Sequence, residues 1–117
     1  IVETQLSGAA IMRLGCAMFE RMDFDAGHLR NASLADYRIP GFRDVPTEIR
    51  NELIDAEQRS GPFGAKGGGE SGTFAVAPAI ANAIHDAVGI RLTSLPMLPE
   101  TVYRAICIAE GSPLGDN

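Results

Sequence analysis

The sequence predicts an α+β fold with about three helices and a few short, mostly antiparallel strands. Three observations lead there. Apolar residues recur at helical spacing over residues 6–22 and again over 74–88. Asp25-Ala26-Gly27 places turn chemistry between two short runs and reads as a hairpin over 24–29. Pro99 and Glu100 are typical first-turn residues and open a third, shorter helix through about residue 108.

Each element has its own justification. In the first helix Ile11, Met12, Gly15, Met18, Phe19 and Met22 fall within one arc, which is expected to face the core. Gly8 and Gly15 share a face, and mid-helix glycines are unfavourable, so a close approach of another backbone is expected there. Residues 31–46 have little periodicity and are punctuated by Pro40-Gly41 and Pro46. Asn31, Asp36, Tyr37 and Arg38 are polar groups in that irregular segment, free to satisfy backbone or a ligand. Residues 48–55 alternate loosely around Ile49, Leu53 and Ile54, as an edge strand does. In the second helix Val76, Ala79, Ile80, Ala83, Ile84, Ala87 and Val88 form the apolar stripe. Pro78 fits its first turn and Gly89 its C-terminal stop. A short strand is expected at 91–95, and a loose tail at 111–117.

The most unusual stretch is 61–72, in which six of twelve residues are glycine and Glu70 is the one carboxylate. Glycine at this density calls for left-handed backbone or for close approach of another group. With a helix expected from 74, Glu70 would stand just ahead of an N-terminus, where exposed N–H groups suit an anion. Gly67-x-Gly69-x-x-Gly72 meets the dinucleotide pattern by letter, but no clear strand leads into it. There is no Walker A lysine pair, no nucleophile elbow and no His/Cys cluster of metal-ligand spacing. A general base at Glu70 and a helix-capping glutamate on a flexible loop both remain open on residues alone.

Composition sets the outer bounds. At 117 residues, 45% of them hydrophobic, the chain is one globular domain or part of one. A net charge of −5 argues against a nucleic-acid binder. No apolar run reaches the roughly 18 residues of a membrane span. Cys16 and Cys107 read as free thiols in a reducing, cytoplasmic setting.

Four blocks together carry a resemblance. They are Gln5-Leu6-Ser7-Gly8 with Leu14-Gly15-Cys16-Ala17-Met18-Phe19-Glu20, then Asn31-Ala32-Ser33-Leu34-Ala35-Asp36-Tyr37-Arg38-Ile39-Pro40. Gly64-Ala65-Lys66-Gly67-Gly68-Gly69-Glu70 and Pro78-Ala79-Ile80-Ala81-Asn82-Ala83-Ile84-His85-Asp86-Ala87-Val88-Gly89 follow. In this order they resemble the C-terminal end of the molybdopterin-binding subunit of the xanthine dehydrogenase and aldehyde oxidase family. The likeness runs from about residue 2 to about 106.

The resemblance implies an oxidoreductase that hydroxylates aldehydes or N-heterocycles with water. It implies a molybdopterin-type molybdenum cofactor in which no protein side chain ligates the metal. Glu70 matches the family's general base. Lys66, Gly67, Gly68 and Gly69 match its cofactor-binding loop, and Gln5 lies in a segment near the cofactor. Iron–sulfur clusters and FAD are expected on other domains or subunits. The chain is then a C-terminal fragment of a molybdopterin-binding domain, ordered over 1–110 and inactive without the rest of the subunit. Its helix faces are expected to pack partly against segments outside the chain. This chain departs from the common pattern with Ser71-Gly72 where prolines often follow the glutamate, Gly68 where valine or isoleucine is common, and Cys16 where glutamine is frequent. The competing expectation is a non-catalytic packing or subunit-interface module that keeps the motif.

Overall fold

A computed structural model describes residues 1–112 of the chain. The first helix, α1, spans Val2–Met18 and so begins and ends one turn earlier than its periodicity predicts. At the start, the carbonyl of Ile1 already accepts the Gln5 N–H at 3.0 Å, and Glu3 complements the helix dipole. At the end, the N–H groups of Phe19 and Glu20 both converge on the Gly15 carbonyl at 2.9 Å. Asn31 then captures the chain beyond. Its amide donates to the Arg21 carbonyl at 2.6 Å and accepts from the Asp23 N–H at 2.9 Å. These tertiary bonds end the helix before Met22.

The hairpin forms as expected. β1 (Phe24–Asp25) pairs antiparallel with β2 (His28–Leu29), Phe24 opposite Leu29 and Asp25 opposite His28. Ala26 and Gly27 both take left-handed backbone, with φ of 47° and 84°. That is the requirement of a two-residue turn whose twist matches the strands.

Two expected strands are absent. Residues 48–55 and 91–95 are not in any ladder, and among the described residues the hairpin is the one sheet. A strand needs a neighbour for its backbone N–H and C=O groups, and neither segment has one among the described residues. Residues 48–58 run without turn or bend, whereas Leu92 packs against the core ahead of a cis Leu95–Pro96 bond.

The second helix, α2 (Val76–Val88), starts later than the expected residue 74 because a 3₁₀ turn, Ser71–Thr73, precedes it. Pro78 lies in its first turn. Gly89 ends it in left-handed backbone, φ 73°, and donates to the His85 carbonyl at 2.7 Å. The third helix, α3 (Pro99–Glu110), starts on its proline and stops on Gly111, φ 65°. Most of the expected loose tail lies outside the described residues.

The core is narrow. Ala17, Ala77 and Met97 are its buried centre, with Met18, Ile80, Ala81, Ile84, Leu92 and Val102 around them. The Met97 N–H donates to the Ala17 carbonyl at 2.7 Å, which ties the segment before α3 to the end of α1. Of the expected arc on α1, Gly15 is buried and Ile11, Met18 and Phe19 are half-buried, whereas Met12 and Met22 are mostly exposed; Ala9 and Ala17, outside that arc, are buried as well. Small side chains let neighbours approach on more than one side, and that decides which face is covered. Gly15 meets the Glu20 carboxylate and the Pro40 ring, but nothing comes near Gly8. In α2 the inward residues are Ala77, Ile80, Ala81 and Ile84, and the expected Ala79, Ala83, Ala87 and Val88 are exposed.

The molecule is far from spherical. Its radius of gyration is 18.3 Å, against about 13 Å for a compact domain of this length. Its accessible surface is 9252 Å², against about 6,100 Å² for a compact monomer of this mass. Phe42, Ile54, Phe63 and Phe74 are among the large apolar side chains left in the open.

Candidate active site on the glycine loop

Glu70 opens the 3₁₀ turn Ser71–Thr73 with backbone angles φ −107° and ψ −2°. Its carbonyl accepts from the Thr73 N–H at 3.0 Å and from the Thr73 hydroxyl at 2.8 Å. Its side chain makes no capping bond and the residue is exposed. The helix-capping role left open by the sequence is therefore filled by Glu70 main chain, not by its carboxylate. The expected position immediately ahead of a long helix is also corrected: the 3₁₀ turn separates Glu70 from the first turn of α2.

The turn rests on α1. A Cβ built on Gly72 would lie 2.8 Å from the Leu6 carbonyl oxygen and 3.3 Å from the Ala9 Cβ. One built on Gly68 would lie 3.7 Å from a methyl of Val2. Val2, Leu6 and Ala9 form one stripe along the N-terminal half of α1, so this stripe is the bed of the loop. Gln5 is exposed, one turn on from Val2. The structure thus brings the loop to the helix end that carries Gln5.

The loop glycines divide by physical need. Left-handed backbone occurs at Gly64, φ 74°, beside Phe63 at φ 55°, and not at Gly67, Gly68, Gly69 or Gly72. Close approach explains Gly72, and at Gly61 an added Cβ would meet the Ala65 carbonyl. Gly67 and Gly69 have neither reason, because nothing among the described residues lies within 4 Å of a Cβ placed there. The backbone around Glu70 is bare on a side that the chain itself does not fill. Lys66 does not point a free ammonium at that space. Its Nζ donates to the Ala56 carbonyl at 2.6 Å and holds the loop entrance to the preceding segment.

Among the described residues no group of three or more His, Cys, Asp or Glu side chains could hold a metal ion. Sequence reasoning left Asn31, Asp36 and Arg38 without a shared location. They line a hollow of about 420 Å³ between the end of α1 and the start of α3, with Arg21, Asp23 and Glu100. Arg21 lies 2.7 Å from Asp23 and 3.6 Å from Glu100, and the Asp23 hydrogen bond raises its already high pKa. Nearby, the Tyr37 hydroxyl donates to Glu20 at 2.6 Å, which raises the phenol pKa. This hollow lies at the opposite end of α1 from Glu70, and only the fold could have revealed it.

A family model described as "Molybdopterin cofactor-binding domain" matches residues 1–46. The "Probable hypoxanthine oxidase XdhD" of Escherichia coli K12 is 40% identical over 103 residues, covering 87% of this chain and 11% of that protein. The "Aldehyde oxidoreductase molybdenum-binding subunit PaoC" of the same strain is 38% identical over 96 residues, covering 80% of this chain and 13% of that protein. The crystal structure of quinoline 2-oxidoreductase from Pseudomonas putida 86 superposes on 96% of this chain with a TM-score of 0.82 and 29% identity, using 14% of its own length. The chain spans about a tenth to a seventh of these proteins. With α+β architecture, matching segments at both ends of the glycine loop and this structural likeness, the chain belongs to the molybdopterin-binding subunits of the xanthine dehydrogenase and aldehyde oxidase family of molybdenum hydroxylases.

Proposed function

We propose that this chain is the C-terminal segment of a molybdenum hydroxylase subunit and supplies its general base, Glu70. The observation that carries the reading is the bare backbone beside that carboxylate. Gly67 and Gly69 are glycine where neither φ nor intramolecular packing requires it. A ligand that must lie against the backbone does require it. Lys66, Gly67, Gly68 and Gly69 would offer main-chain N–H groups to the pterin or its phosphate, and Gln5 would contribute from the adjoining end of α1. The residues present fit the group in this sense: donors without side-chain obstruction, and no competing metal ligands among the described residues.

When bound, the molybdenum cofactor supplies the redox chemistry of hydroxylation. The task left to this chain is positional. Gly72 clamps the 3₁₀ turn to Leu6 and Ala9, so Glu70 is presented from a fixed platform. Its carboxylate, uncommitted to capping, can accept the proton released as water-derived oxygen is delivered to the substrate carbon. The substrate class is aldehydes or N-heterocycles. Iron–sulfur clusters and FAD on other domains or subunits would carry the electrons away. The remainder of the molybdenum subunit is the first partner. Two free thiols, Cys16 and Cys107, are in keeping with a cytoplasmic enzyme, and no helix among the described residues is long and apolar enough to cross a membrane.

The test is Glu70→Gln in the complete enzyme. Gln keeps shape and hydrogen-bonding capacity but cannot take up the proton. Turnover should fall by about 10²–10⁴-fold, the range of general-base catalysis, with molybdenum content unchanged. Near-normal turnover at full metal loading would remove Glu70 from the mechanism. Loss of metal in step with activity would make it a cofactor-retention residue.

A further inference from the structure

We infer that Lys66 and Asn51 are positioning residues for Glu70: together they brace the entrance of the glycine loop against the same half of α1 that seats its exit. The inference rests on the reading of Glu70 as the base. The exit is seated directly, by Gly72 against the Leu6 carbonyl and the Ala9 methyl. The entrance has no such seat. Among the described residues nothing lies within 4 Å of a Cβ built on Gly67 or Gly69, and one built on Gly68 meets only a methyl of Val2, at 3.7 Å. Among the described residues no backbone–backbone hydrogen bond involves residues 66–69. A base works only when its reach is held to within about an ångström, so the entrance needs another hold.

Two side-chain links supply it. The Lys66 Nζ donates to the Ala56 carbonyl at 2.6 Å, a charge-assisted bond. That bond closes residues 57–65 into a loop at its base. The loop is itself tight: Gly64 and Ala65 donate to the Gly61 and Pro62 carbonyls at 3.2 and 3.0 Å, and Phe63 and Gly64 take left-handed backbone. The second link is Asn51. Its amide donates to the Glu3 carbonyl at 3.1 Å and to the Ser7 hydroxyl at 2.7 Å. From Asn51 the chain reaches Ala56 without turn or bend.

Glu3 and Ser7 lie one turn apart on α1 and are the chain neighbours of Val2 and Leu6, which bed the glycine loop. The path therefore closes on the helix where it began. It runs from α1 to Asn51, along to Ala56, across to Lys66, through the glycines to Gly72, and back to α1. Glu70 lies within that closed path, and its side chain makes no capping bond of its own. Its pose is then set by both ends of the loop. A lysine beside bare glycine backbone invites a phosphate-binding role, but this ammonium is committed to a carbonyl. What it contributes is reach and a donor.

The test uses Lys66→Met, Lys66→Arg and Asn51→Ala in the complete enzyme. Hydrogen exchange of the Thr73 amide, which is bonded to the Glu70 carbonyl, reads the brace without turnover. Lys66→Met and Asn51→Ala should each speed it by about 5-fold, the effect of losing one net hydrogen bond. The links act in series, so the double variant should exchange no faster than the faster single, and additive increases would overturn the inference. In Lys66→Met kcat should fall by about 10- to 100-fold, with KM and molybdenum content unchanged, and Lys66→Arg should recover most of the loss. Loss of molybdenum in Lys66→Met would overturn the inference by making the ammonium a cofactor contact. Unchanged exchange and kcat would overturn it by making Lys66 a solvated cation. The two readings fail separately. A slow Glu70→Gln with unchanged exchange in Lys66→Met removes the brace alone, whereas a near-normal Glu70→Gln removes the base and with it the positioning role.

Discussion

The clamp between Gly72 and α1 makes a sharp prediction through two alanine substitutions only three residues apart in sequence. In Gly72→Ala the new methyl would lie 2.8 Å from the Leu6 carbonyl oxygen. That neighbour is helix backbone and cannot rotate away. The turn and the helix must part by about half an ångström, an overpacking whose usual cost is about 1–3 kcal/mol. In Gly69→Ala the methyl meets nothing within 4 Å. The backbone there is not left-handed, so alanine should be neutral, or stabilising by up to about 1 kcal/mol through the unfolded chain. The assay is hydrogen exchange of the α1 amides in the complete subunit, since exchange through local opening reports the local free energy. Gly72→Ala should speed exchange by about 5- to 150-fold, which is 1–3 kcal/mol at 1.4 kcal/mol per decade, and Gly69→Ala should leave it unchanged. Molybdenum content should show the reverse emphasis, with Gly69→Ala losing cofactor despite an intact fold. Equal exchange in the two variants would refute the clamp.

Two further outcomes follow from the core and from the Tyr37 contact. Met97 is 1% exposed at the junction of α1, α2 and the segment before α3. Met97→Ala should cost about 2–5 kcal/mol in denaturant titration of the subunit, and a change below 1 kcal/mol would mean that the three elements do not share a core. The Tyr37 phenol titrates above its ordinary value because it donates to Glu20. A raised acid stabilises the fold below its unfolded pKa and loses that contribution as pH rises through the folded one. Wild type should therefore lose stability in that alkaline window, and Tyr37→Phe should not, as followed by circular dichroism across the pH range.

What could be read from the residues was local chemistry. Ala26-Gly27 in the hairpin, Pro99 at the start of α3 and Gly89 at the end of α2 act through their own φ angles, and each lies where its neighbours in sequence placed it. The end of α1 was not legible, because Asn31 and Pro40, well downstream, determine it. The loose alternation over 48–55 does not make a strand, because a ladder needs a partner and none lies among the described residues. The α2 stripe was half right for a similar reason: helical periodicity marks which residues want cover, not which neighbour arrives first. At the site, the loop and Glu70 stood out by composition. The roles of individual glycines did not, since left-handed backbone, close packing and bare surface all favour the same letter.

The distance along the chain between α1 and α2 has its own consequence. Roughly 60 residues lie between them, and bringing the ends of such a loop together carries an entropic penalty of about 3–4 kcal/mol before any other term. At their junction Ala17 and Met18 of α1 meet Ala77, Ile80, Ala81 and Ile84 of α2 around the buried Met97. Burial of those apolar side chains, at about 25 cal/mol per Å², is what offsets the loop penalty. Truncating any of them should therefore loosen the hold of α2 on α1, and with it the Gly72 contact that seats the turn carrying Glu70.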